Sequence, residues 1–172
     1  MQAERLRAFS EVPYFGVILS KLSFYECDEV PTLAIDKHGR VYVNVSYWDS
    51  ITLEQRVGVM VHELQHLLRK HFVRGENLNL KPIELNILGD IEINDSNMMR
   101  KFLDGLDCIY PETFGFPPNL TFEEYVSLWK KRKKECQENG SSPFPGGKPQ
   151  VGKGECGSAA DGKKKSYELP AP

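Results

Sequence analysis

Residues 52–72 have few alternatives to a single long helix. Thr52 followed by Gln55 forms a capping box, and apolar residues recur at helical spacing to about Phe72 with no Gly or Pro in the run apart from Gly58. Leu53, Val57, Met60, Leu64, Leu67 and Leu68 fall on one apolar stripe. His62 and His66 fall on the opposite side with Glu63 flanking, so the core takes one face and chemistry the other.

The segment Val61-His62-Glu63-Leu64-Gln65-His66 is an HExxH sequence. Its i, i+4 spacing puts both imidazoles one turn apart, able to converge on one ion while Glu63 reaches a water bound to it. The competing reading is a pair of solvated histidines on a surface helix. A catalytic ion needs a third protein ligand. His71 is close in sequence, but a helix continued through Leu67, Leu68, Arg69 and Lys70 turns it about 180° from His62. It reads as a structural or outer group.

The second helical pattern, from Pro82 to about Phe102, offers more. Asn86, Asp90, Asn94 and Asn97 stack on one narrow stripe of an Ile- and Leu-rich segment, and polar groups in such a setting need partners. Asp90 is the expected third ligand, with Asn86 and Asn94 bonding around it. Glu92, Glu84 and Asp95 fall elsewhere and read as the solvated face. Two imidazoles, one carboxylate and a water favour zinc.

Around these helices the chain reads as α+β. Residues 4–26 suggest one or two packing helices broken at Pro13, and Thr32–Ile35 with Arg40–Val45 suggest a hairpin turning at Asp36-Lys37-His38-Gly39. Strand 40–45, if it edges the cleft, would accept an extended substrate by β-addition. A third helix starts at the capping box of Thr121 and Glu124 and runs into Lys130–Lys134. The expected domain spans 1–138, and the Gly-, Pro-, Ser- and Lys-rich stretch 139–172 reads as a flexible tail or linker. Cys156 in that tail reads as a free thiol that could at most cap an open zinc position.

The balance of 22 Lys and Arg against 24 Asp and Glu gives a net charge of -2, which removes nucleic acid and anionic membranes as default partners. The short Lys runs read as a solvated helix end and tail. No apolar run is long enough to span a bilayer, the N-terminus lacks a secretory h-region, and the four cysteines form no CxxC pair. A cytoplasmic setting follows as an expectation.

These segments resemble the zincin-like metallopeptidase domain of bacteria and their phages, which often precedes a von Willebrand A-like domain. The similar stretches are Pro13-Tyr14-Phe15, Val30-Pro31-Thr32, Val41-Tyr42-Val43-Asn44, the HExxH run through His71, Asn86 through Asn94, and Cys156-Gly157-Ser158-Ala159-Ala160-Asp161-Gly162. The resemblance implies a zincin-like fold in which a small sheet packs on the HExxH helix and a second ligand-bearing helix. It implies His62, His66 and an Asp at position 90 as metal ligands, Glu63 as general base, and peptides or proteins as substrates. Asn44 is followed by Val45 where the family usually has Pro. The chain ends at Pro172, where the family often continues, which suggests a stand-alone version or a fragment. The alternative to a zinc peptidase is a metal-stabilised interaction module that partners a von Willebrand A-like protein and an ATPase.

Overall fold

The computed structural model describes residues 2–147 and 164–171. Cys156 and the rest of the Cys156–Gly162 element lie outside the described residues.

The first helical pattern divides at Pro13 into α1 (Gln2–Glu11) and α2 (Pro13–Leu19), and Pro13 opens α2 where no backbone N–H is needed. The helices stop sooner than the spacing suggests, since Ser23–Glu26 is extended and forms β1. The expected hairpin is present as β2 (Leu33–Ile35) and β3 (Arg40–Val43), paired antiparallel with Leu33 opposite Val43. Asp36 holds its turn by accepting from the backbone N–H groups of His38 and Arg40, and Gly39 supplies the positive φ of 76°. β1 pairs with β3 in parallel, so the sheet order is β1-β3-β2. β3 is therefore the central strand, with both edges occupied, and cannot take a substrate strand as the sequence suggested.

The alternation of the strands sorts the sheet into two faces. Leu33, Ile35, Val41 and Val43 face the main core with Val57, Met60, Val61 and Leu64 of α4 (Leu53–Leu68), which follows the short α3 (Val45–Ser50). Ala34 and Tyr42 face the other way, where Tyr167 lies on them.

A second core joins Leu85, Ile87, Leu88 and Ile91 of α6 (Pro82–Asn94) to Phe122, Tyr125, Val126 and Trp129 of α8 (Phe122–Glu138). The single second helix of the sequence reading is two helices, since Ser96 caps a new one, α7 (Asn97–Phe102), with its side chain. α6 lies between the cores, with Ile93 in the first and the other apolar residues in the second.

Two stretches of the expected tail pack on the body. Phe144 meets Trp129 at 5.0 Å between rings, and Arg132 donates to the Pro143 carbonyl. Further on, Arg40 donates to the carbonyls of Leu169 and Pro170, while the Leu169 N–H donates to the Tyr42 hydroxyl. Among the described residues no helix is long and apolar enough to cross a membrane.

Candidate metal centre

α4 presents its histidines into the protein and not to water. His62 is 4% exposed and His66 fully buried, which overturns the solvated-pair reading. α6 covers them and brings Asp90 between them. The His62 and His66 Nε2 atoms are 3.1 Å apart, and Asp90 Oδ1 is 3.4 Å from the first and 3.0 Å from the second. Three ligands at zinc bond lengths of about 2.0–2.1 Å in tetrahedral array would sit about 3.3 Å apart. The triangle has that size.

The surrounding hydrogen bonds decide what these three atoms can be. Asn94 donates its amide to the Ile109 carbonyl at 3.0 Å, which turns its oxygen to His62 Nδ1 at 2.8 Å. His62 therefore carries a proton at Nδ1, and a neutral ring then has a lone pair at Nε2. On the other side His71 Nε2 lies 2.6 Å from Glu92 and its Nδ1 lies 3.0 Å from His66 Nδ1. With the His71 proton spent on Glu92, His66 must donate from Nδ1 and keeps its lone pair at Nε2. Asp90 Oδ1 is buried and receives no hydrogen bond of good geometry. Three ligand atoms thus converge on one point, a group that could hold a metal ion. The donor set fits a divalent metal.

The acid–base behaviour agrees. Burial depresses His66 to about 4, with the charge of His62 acting in the same sense. Burial also works against a charged His62, but Asp90 and, more weakly, Glu63 outweigh it and raise its pKa. Burial would raise Asp90, yet contacts with the two imidazoles hold it below the usual carboxylate range. Glu63 is itself buried beside His62.

Two sequence expectations are corrected here. The helix does not run through His71: α4 ends at Leu68, Lys70 takes the left-handed conformation at φ 57°, and α5 (His71–Arg74) starts afresh. That break brings His71 back onto His66 instead of 180° away. Nor are Glu92, Glu84 and Asp95 solvated. The Glu92 and Asp95 side chains are each 7% exposed, and Glu84 is 2% exposed. Glu92 accepts from His71, from Arg74 and from the Phe122 backbone N–H, with Arg69 at 3.6 Å. Burial would raise its pKa, but these partners bring it down to about 2. The sequence signal that was missed is the pair of arginines, Arg69 and Arg74, flanking His71 within one turn of chain.

A family model described as "Putative metallopeptidase domain" matches residues 1–169. The chain belongs to that family. Its match runs through the tail and includes the stretch 164–169 that lies on the sheet, as well as the HExxH helix and Asp90. No curated protein and no solved structure matches this member of the metallopeptidase-domain family.

Proposed function

We propose that the chain is a zinc-dependent peptidase of the HExxH type. The observation that supports this most is the buried triangle of His62 Nε2, His66 Nε2 and Asp90 Oδ1, with edges of 3.0–3.4 Å, on a helix that also carries Glu63. Those three residues would hold zinc, which when bound supplies a water of lowered pKa and polarises the scissile carbonyl. Asn94 keeps the His62 proton on Nδ1, and the His71 contact does the same for His66, so both Nε2 atoms stay available. Glu63 takes the proton of the attacking water on its carboxylate and passes it to the leaving amine.

Metal analysis of purified protein, with hydrolysis of unfolded protein substrates by wild type and Glu63→Gln, tests this reading. We expect about one equivalent of zinc in both. Hydrolysis should fall by about 10²–10⁴-fold in the variant. Stoichiometric zinc with no Glu63-dependent hydrolysis would point instead to the metal-stabilised interaction module. His62→Ala and His66→Ala should abolish binding, and stoichiometric metal in the double variant would sink the site.

A further inference from the structure

We propose that Glu92, His71 and Gly89 are positioning residues that set the metal affinity of the site by fixing the tautomer and orientation of His66, although none of them is a ligand. The inference rests on the metal-site reading above.

The chain of contacts is continuous and buried. Glu92 is anchored as a carboxylate by the guanidinium of Arg74 at 3.2 Å and the Phe122 N–H at 3.1 Å. Its remaining strong contact is His71 Nε2 at 2.6 Å, which places the His71 proton there and leaves His71 Nδ1 as an acceptor. His66 Nδ1 lies 3.0 Å from that acceptor. The His66 proton is thereby drawn away from the metal side. Most metal-bound histidines are oriented by one carboxylate or carbonyl; here a second imidazole stands between the carboxylate and the ligand.

The seat for this contact is a glycine. A Cβ at Gly89 would lie 2.9 Å from His71 Nδ1 and 3.2 Å from His66 Cε1. Gly89 is inside α6, where alanine would favour the helix. Its space is used by the two rings. His71 also stacks on Phe122 with centroids 5.1 Å apart, so its plane is fixed from the far side.

The test measures zinc affinity by chelator competition and the Co²⁺ absorption spectrum for wild type, His71→Phe, His71→Asn and Gly89→Ala, with thermal melts of the metal-free forms. Phenylalanine keeps the stack and loses the acceptor, so zinc affinity should fall ten- to a hundredfold and the Co²⁺ bands should shift. Asparagine offers an oxygen near the Nδ1 position and should recover most of the loss. Gly89→Ala should weaken zinc about tenfold, with no ligand altered. Wild-type affinity in a folded His71→Phe protein, or an asparagine variant as weak as phenylalanine, would overturn the proposal. Should His71→Phe not fold, Gly89→Ala decides, and unchanged affinity there is equally fatal. Wild-type protein that takes up no zinc would instead refute the metal site itself, so the first titration separates the two failures.

Discussion

The helices α4 and α6 both line the candidate metal centre, yet they meet solvent to different extents. α4 buries Val57, Met60, Val61 and Leu64 on the sheet side, together with His62, Glu63 and His66, but both of its ends reach solvent, with Leu53 and Leu68 exposed. α6 has no solvent side to speak of. Between two cores, it buries Glu84, Asn86, Asp90 and Asn94 along with its Leu and Ile residues, and Glu92 is nearly as hidden. Each charge on α6 is matched from a different element: Glu84 by Lys133 and Trp129 of α8, Glu92 by His71 and Arg74 of α5, and Asp90 by the imidazoles of α4. A charged residue at helical spacing marks solvent only where nothing covers that face, and Glu63 on α4 is buried just as Glu84 and Glu92 are on α6.

The largest effect that tests this contrast belongs to Glu84. It accepts from the Trp129 indole at 3.0 Å, the Lys133 ammonium at 2.8 Å and the Lys81 backbone N–H at 2.7 Å. Glu84→Ala leaves a buried indole N–H unpaired and removes a cap, which should cost about 2–3 kcal/mol in urea unfolding of the metal-free protein. A cost within about 0.5 kcal/mol, as for a surface site, would restore the solvated-face reading. The pH dependence carries a definite sign. Burial would raise the Glu84 pKa, but its three donors hold it below the usual value. The stabilisation from its charge is then complete above the unfolded carboxyl pKa and is lost as pH falls through the folded one. The stability gap between wild type and Glu84→Gln should shrink on acidification below about pH 4.

Legibility in the sequence followed the same division. The capping boxes at Thr52 and Thr121 and the turn at Asp36–Gly39 are local patterns, and the structure reproduces those elements, while Leu53 and Leu68 at the ends of the expected apolar stripe of α4 are exposed. The sequence also picked out His62, His66 and Asp90, which the fold brings together. Strand β1 was hidden because Ser23–Glu26 acquires its partner from β3, seventeen residues on, as its register with Arg40–Val43 shows. The burial of Glu84 and Glu92 was hidden because their partners are distant in sequence. Packing of the tail was hidden because two aromatic residues, Phe144 and Tyr167, carry it within a polar composition.

An intermediate effect is expected on α4. Gly58 faces α7, where an added Cβ would lie 2.8 Å from Phe102 Cβ and 2.9 Å from its carbonyl oxygen. Alanine favours the helix by about 1 kcal/mol, but overpacking against backbone costs about 1–3 kcal/mol. Gly58→Ala should therefore destabilise by about 1 kcal/mol while leaving zinc uptake intact. A stabilised variant would mean that α4 and α7 are packed less closely than these contacts require.

The smallest effect concerns the residue that ends α4. Helices usually close on a left-handed glycine, and here a lysine takes that place at φ 57° and ψ 36°. No glycine or proline marks the break, which is why the helical pattern reads through to Phe72. Lys70 nonetheless receives the first hydrogen bonds of α5 on its carbonyl, from Val73 and Arg74 at 2.9 Å each. A side chain in the left-handed region is strained, whereas glycine occupies it freely, though at a larger entropy cost on folding. The balance favours Lys70→Gly, with an expected gain of about 0.5–1 kcal/mol by urea unfolding and unchanged zinc affinity. A loss of about 1 kcal/mol is what glycine costs inside a continuous helix. That result would mean that α4 runs on through residue 70, and it would carry His71 away from His66.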